Sequence, residues 1–176
     1  MNEERTRYPF AVAMEVAGEI ISRIKDVCEP DFCCVAGSLR REAVSVKDVE
    51  ILFVSKTELR KKDLLESEPF PLAEDRIEGM LKAGELTKRP NVNGSFTWGR
   101  LNKLAIHRSG IPVDLFYEPS QSDWWRSLVI RTGPKELNLH LINSASRRGI
   151  DVHAYNAGLT RKFNPGEVIP CQSEKD

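Results

Sequence analysis

One charge interrupts an apolar run near the middle of the chain: Ile111-Pro112-Val113-Asp114-Leu115-Phe116-Tyr117. Six apolar neighbours around a single acid read as a buried strand. A carboxylate in such a place costs several kcal/mol unless something compensates it. The fold must therefore bring a partner to Asp114. A related demand arises upstream, in Asp48-Val49-Glu50-Ile51-Leu52. Side chains two apart on a strand share a face, so Asp48 and Glu50 point together while Val49 and Ile51 can enter the core. Two acids aimed the same way repel one another unless a cation or a base lies between them. A hard divalent ion held by carboxylate oxygens answers both demands, and Mg²⁺ commonly completes its shell with phosphate oxygens. Asp48, Glu50 and Asp114 together can hold two ions, the arrangement that stabilises the attacking and leaving oxygens of an in-line phosphoryl displacement.

The segment just before these acids suits the same chemistry. Phe32 to Ala36 is a short apolar run that ends in Gly37-Ser38-Leu39-Arg40-Arg41. Backbone N–H groups and a hydroxyl at a strand end can cradle phosphates, and Arg41, with Arg40 beside it, can neutralise a triphosphate. A lone acid pair is often only a solvated face, and a lone Gly-Ser only a turn. Their combination at this spacing, with a third acid on a later strand, favours the chemical reading.

Around these motifs the spacing predicts an amphipathic helix from about 9 to 27, through Val12, Val16, Ile20 and Ile24. Strands follow at 32–36 and 46–54. Leu72, Ile77, Met80 and Leu81 suggest a helix after Pro71, within a segment (57–94) that is otherwise hard to read. Three strands are expected at 95–98, 103–107 and 111–117, the last two joined through Ser109-Gly110. Trp124 to Ile130 reads as a helix, stopped at Gly133-Pro134. Leu137, Leu139, Leu141 and Ile142 lie on another that ends at Gly149. A strand over 150–155 and a loop-rich tail close the chain. This order gives an α+β fold, with one unit over residues 1–120 and a small helical unit over 121–176.

Composition sets limits rather than answers. The 176 residues are 40% apolar and 30% charged, enough for a proper core. No apolar run reaches the length of about 18 residues that a membrane helix needs, and Met1 to Arg5 carries no signal-peptide pattern; a cytoplasmic, monomeric protein is expected. Cys28, Cys33, Cys34 and Cys171 lack metal-ligand spacing and read as small hydrophobes. Lys+Arg and Asp+Glu both number 26, for a formal net charge of +0. Any contact with a polyanion must then come from local patches, such as Arg60-Lys61-Lys62, Lys88-Arg89, Arg147-Arg148 and Arg161-Lys162.

Gly-Ser-x-Arg-Arg, Asp-x-acid-x-Leu and Val-Asp-Leu, in that order, resemble the palm of family X DNA polymerases, in a minimal palm-plus-thumb form similar to the small African swine fever virus member. The resemblance continues through Thr132-Gly133, Asn138, Ile150 to Tyr155, and the segment from Ile169-Pro170 to Asp176. It covers nearly the whole chain and is weakest from 57 to 95. It implies a nucleotidyltransferase that adds dNTPs to a primer 3′-hydroxyl on primer-template or gapped DNA, with gap-filling repair as the role. Asp48, Glu50 and Asp114 would be catalytic and hold two Mg²⁺ ions, with Mn²⁺ able to replace them. Asp114 would also help activate the 3′-hydroxyl. Gly37, Ser38, Arg40, Arg41, Arg131, Thr132, Gly133 and Asn138 would form the nucleotide site, with Asn138 reaching the base. Arg147, Arg148 and Lys162 would touch DNA.

Departures from the family pattern are expected to matter. Glu50 stands where the family has Asp, and its extra methylene moves the carboxylate by about 1.5 Å. Ile130-Arg131 replaces an aromatic pair that checks the sugar. No lyase domain is expected before the palm, and the thumb is expected to be shortened at its C-terminus. Two other readings keep the same motifs: nucleotidyl transfer onto a small molecule or protein, and a catalytically silent DNA-end or nucleotide-binding module. The thumb motifs count against the first, and Glu50 motivates the second.

Overall fold

The computed structural model describes residues 6–62, 66–153 and 158–176. A two-residue strand, β1 (Tyr8–Pro9), leads into α1 (Phe10–Ile24), whose Ala13, Val16, Ala17, Ile20 and Ile24 are buried. Their three-to-four-residue spacing makes one apolar stripe. The chain continues as β2 (Cys28–Val35), a single helical turn α2 (Gly37–Arg40), β3 (Ser45–Val46), β4 (Val49–Ser55), β5 (Thr57–Lys61), β6 (Ser67–Pro71) and α3 (Leu72–Lys82). Then come β7 (Leu86–Lys88), β8 (Asn102–His107), β9 (Pro112–Tyr117), α4 (Trp124–Thr132), α5 (Lys135–Arg147), β10 (Ile150–Val152), β11 (Leu159–Arg161) and β12 (Asn164–Ile169).

Five strands form the central sheet in the order β2-β4-β9-β8-β7. Only β4 and β9 run parallel; their neighbours are antiparallel. Alternation divides the sheet into two packed faces. Val49, Ile51 and Phe53 of β4, with Val113, Leu115 and Tyr117 of β9, join the main core under α1 and α3. Leu52, Val54 and Phe116 face the other way and pack with Trp124 and Leu128 of α4. Glu50 and Asp114 share the parity of that second face. They lie at the start of the parallel pair, before α4 covers it. The mixed sheet with helices on both faces is the expected α+β architecture.

The structure departs from the sequence expectations in four places. Residues 95–98 are not a strand: they make only isolated bridges, Pro90 to Phe96 and Trp98 to Lys103. The Asn91 side-chain oxygen accepts from the N–H groups of Asn93 and Ser95 and curls this segment into a loop. Residues 57–61 and 67–71 pair as β5 and β6, and the tail pairs β11 with β10 and β12. Helix α5 buries none of its residues, and Leu137, Leu139, Leu141 and Ile142 stay 39–51% exposed. Of the strand expected over 150–155, Ile150–Val152 is present, while Ala154 and Tyr155 lie outside the described residues, as do Met1 to Arg5. Trp124 packs in the core, its ring edge-on to Phe32 at 5.3 Å. No helix among the described residues is long and apolar enough to cross a membrane.

Candidate active site

Glu50 and Asp114 are direct cross-strand partners in the parallel β4–β9 pair. Both are half-buried. Burial is the main cause that pushes Glu50 up to about 7; Asp48 and Asp114 push the same way, and Arg131 and Arg41 oppose them. Asp114 is pushed up to about 6, again chiefly by burial and also by Asp48, against the lowering pull of Arg89. The three acids thus feel one another's charge. Arg89, just past β7, ion-pairs with Asp114.

The turn after β2 meets this cluster from the side. The Ala36 N–H donates to the Glu50 carbonyl over 2.8 Å. Gly37 then takes φ +58°, and a Cβ built on it would lie 1.5 Å from Glu50 Oε2. Only glycine combines that backbone conformation with so close an approach. The carboxylate of Glu50 therefore rests on the Gly37–Ser38 turn.

A cavity of about 480 Å³ opens above the acids. Of the sequence-expected residues, Ser38, Arg41, Asp48, Glu50, Arg131, Thr132, Gly133 and Asn138 line it. Gly37 and Asp114 are not among its lining residues: Gly37 lies under the Glu50 carboxylate, and Asp114 is turned to Arg89. Arg40 does not line it: its guanidinium turns to the Thr132 hydroxyl (3.3 Å) and the Glu174 carboxylate (2.6 Å). Arg41 donates to the Thr132 carbonyl, so this turn is tied to the end of α4. The Arg131 guanidinium lies 3.9 Å from the centre of the Phe116 ring. Asn138 donates to the Ile130 carbonyl over 2.7 Å, and its own buried side-chain oxygen meets no donor among the described residues. Arg147, Arg148 and Lys162 are exposed near the end of α5 and do not line the cavity.

Sequence reading missed Arg7, Lys47 and Lys135 on the same wall. With Arg41 and Arg131 they put five cations against Asp48 and Glu50, so the cavity is locally basic in a chain of zero net charge. Nothing in their local sequence marks them; the fold gathers them from three separate segments.

The donor set fits a hard divalent ion: three carboxylates, two of them with pKa raised chiefly by burial and by one another's charge. No three His, Cys, Asp or Glu side chains among the described residues converge on one point as they stand. Asp114 is turned to Arg89 and Glu50 to Gly37. Ligation would need these two side chains to rotate, with no change in the strands that carry them.

No protein-family model matches this sequence, and no curated protein matches it. Among solved structures, the fold is similar to that of Leishmania infantum polymerase beta in a ternary P/T complex, with a TM-score of 0.73. The match covers 97% of this chain and 71% of that one, at 17% identity. The likeness is one of fold.

Proposed function

We propose that this chain is a metal-dependent nucleotidyltransferase of the polymerase β type. It would add dNTPs to a primer 3′-hydroxyl on primer-template or gapped DNA, with residues 1–120 as palm and 121–176 as thumb. The observation that carries the reading is the pairing of Glu50 with Asp114 at the start of the parallel strands, where Glu50 and Asp48 line a cavity walled by five cations. The similar fold of a polymerase beta solved as a ternary P/T complex supports it.

In this reading the triphosphate lies along Ser38, Arg41, Lys47 and Lys135, whose charges balance its own. The turn at Gly37 brings backbone N–H groups close to the phosphates. Asn138, on the cavity wall, would turn from the Ile130 carbonyl to reach the edge of the nucleobase. Asp48, Glu50 and Asp114 would hold Mg²⁺ or Mn²⁺, which polarises the phosphate and lowers the pKa of the attacking hydroxyl. Asp114 would also help to take up the 3′-hydroxyl proton. The 3′-oxygen bonds to the α-phosphorus and pyrophosphate leaves.

A primer-extension assay tests the proposal: each dNTP, gapped and ungapped templates, Mg²⁺ and Mn²⁺. Template-directed extension that Asp114→Ala abolishes is the expected result. No extension on any template, alongside transfer of a nucleotidyl group to a small molecule, would replace it with the other enzymatic reading.

A further inference from the structure

Cys28 and Cys33 lie on β2, and their partners on β4 are Ser55 and Phe53. Five steps along one strand therefore span two along the other. The surplus is taken up in a bulge, where Asp31 adopts φ +67°, a left-handed conformation that a short polar side chain tolerates better than most. Bulges of this kind re-aim side chains. Here the two cysteines come to sit as though they were next but one to each other on a regular strand. Such positions share a face, and both cysteines meet the main core under α1 and α3. Cys34, the next residue, packs with the second core on the opposite face.

The spacing suits a covalent link. Positions two apart on a strand are separated by roughly 6.6 Å, within the span of about 4.4–6.8 Å between Cα atoms that a disulfide bridges. Both thiols are free in the structure, and that of Cys33 hydrogen-bonds to that of Cys28. This bond is the first reason that Cys28 ionises more easily than an ordinary thiol and Cys33 less easily. A supported thiolate is what attacks in disulfide exchange. β2 is an edge strand, and Pro30 and Asp31 of its bulge are exposed, so a small reagent can approach from the open side.

We infer that Cys28 and Cys33 form a dithiol site that small disulfides oxidise reversibly to a disulfide within β2. One thiolate of the pair attacks a sulfur of the small disulfide and expels its other half as a thiolate. The second thiolate of the pair then attacks the protein sulfur of that mixed disulfide and expels the remaining half. The two cysteines give up both protons and two electrons, and the small disulfide takes up the electrons. The bulge also carries Phe32, whose ring meets Trp124 of α4 edge-on at 5.3 Å. The last residues of α4, Arg131 and Thr132, line the cavity that Asp48 and Glu50 share. Closing the bond draws the ends of the bulge together, so the state of the pair is felt at the Phe32–Trp124 contact and through it at α4.

Oxidised glutathione is the probe. The full chain is equilibrated with it at graded ratios of oxidised to reduced glutathione, alkylated in denaturant, and mapped by peptide mass. Of the four cysteines, Cys28 and Cys33 should be lost to alkylation together, joined to each other with no glutathione retained, and dithiothreitol should restore both. Cys34→Ala should leave the link in place, and Cys33→Ala should abolish it, with Cys28 found only free or as a mixed disulfide. In urea, where the bulge is gone, the preference of Cys28 for Cys33 over Cys34 should disappear. Both thiols alkylatable at every ratio, a lasting mixed disulfide on the unaltered protein, or a link that Cys34→Ala removes overturns the site. If Cys33→Ala does not fold, the unaltered protein with and without urea decides alone. Tryptophan emission should differ between the oxidised and reduced protein, and should not differ in Trp124→Phe. Equal emission from the two forms of the unaltered protein overturns the connection to α4.

Discussion

The carboxylate of Glu50 lies directly over Gly37, so close that a Cβ there would sit 1.5 Å from Oε2 and 2.6 Å from Cδ. Adding a methyl group must therefore displace the acid. Gly37→Ala also places alanine at φ +58°, a left-handed conformation that costs roughly 1–2 kcal/mol. The atom in the way is the end of a flexible side chain, so the fold should survive with a loss of about 1–3 kcal/mol. Activity should fall by more than about a hundredfold, since a displacement near 1 Å in the site can cost that much. Urea unfolding and primer extension measure the two. In a Glu50→Ala background the stability cost of Gly37→Ala should shrink to the backbone share. An unchanged cost there would show that the carboxylate is not what the methyl group meets.

The same contact bears on metal preference. Glu50 reaches the glycine turn with an arm one methylene longer than an aspartate's. Mg²⁺ demands near-ideal octahedral geometry, and Mn²⁺ stands higher in affinity for the same ligands than this site's geometry would give Mg²⁺. Extension should run with Mg²⁺ but gain more from Mn²⁺. Glu50→Asp should narrow the Mn²⁺ to Mg²⁺ rate ratio. An unchanged ratio would remove arm length as the cause.

Protons should report the same cluster through stability. Glu50 at about 7 against an ordinary 4.5, and Asp114 at about 6 against 3.8, mean that the folded protein keeps protons the unfolded chain releases. Their contribution to stability is full below about pH 4 and declines as pH rises through 6 to 7, where the folded groups ionise. Each unit is worth about 1.4 kcal/mol at most, and half-buried side chains that can turn to water will show less. In EDTA, the fall in stability between pH 5 and pH 8 should be smaller for Glu50→Gln than for the unaltered protein. Mg²⁺ should raise Tm more at pH 8 than at pH 5. Equal Mg²⁺ effects at both pH values would detach the ion from these acids.

Much of this site can be read before any fold is known, because its acids sit in strands. Asp48, Glu50 and Asp114 interrupt apolar runs, and strand parity alone places Glu50 and Asp114 on one face. Helices α1, α3, α4 and α5 are visible for the same reason, through the period of their apolar residues. The missing parts are those that periodicity cannot carry. Arg7, Lys47, Arg89 and Lys135 look like surface charge, and only the sheet order brings them to the acids. The β5–β6 pair is mostly exposed, so its strands lack an alternating apolar signal. In α5 the apolar residues are real, yet none of them is fully buried.

Arg126 is another residue whose weight only the fold reveals. Its side chain is 2% exposed on α4, within 3.3 Å of Glu118 and 3.5 Å of Asp123, and it donates to the His153 carbonyl over 2.8 Å. It thus ties α4 to the end of β9 and to the strands that follow α5. Removing one partner of a buried pair leaves the other charge uncompensated, at about 3–5 kcal/mol. Arg126→Met should lose that much in urea unfolding, and Glu118→Gln, which keeps a hydrogen-bonding group, less. A loss below about 1 kcal/mol, the scale of an exposed pair, would show that water already reaches this arginine.

Two separate sets of cations should divide the labour of polyanion binding. Arg7, Lys47 and Lys135 wall the cavity over the acids, whereas Arg147, Arg148 and Lys162 lie exposed at the far end of α5. Each phosphate neutralised on duplex DNA contributes a slope of about −0.9 in log K against log salt. Duplex binding should accordingly be weak at physiological salt and steeply salt dependent. If the exposed set meets the duplex, Arg147→Ala with Arg148→Ala should flatten the slope by about 1.8 and leave dNTP affinity unchanged. Lys135→Ala should do the reverse, weakening dNTP binding with little effect on the duplex slope. Fluorescence anisotropy with gapped duplex, and with a labelled dNTP in Mg²⁺, measures both. A duplex slope untouched by the double change would leave Arg147 and Arg148 with a bland role, as positive charges at a helix C-terminus.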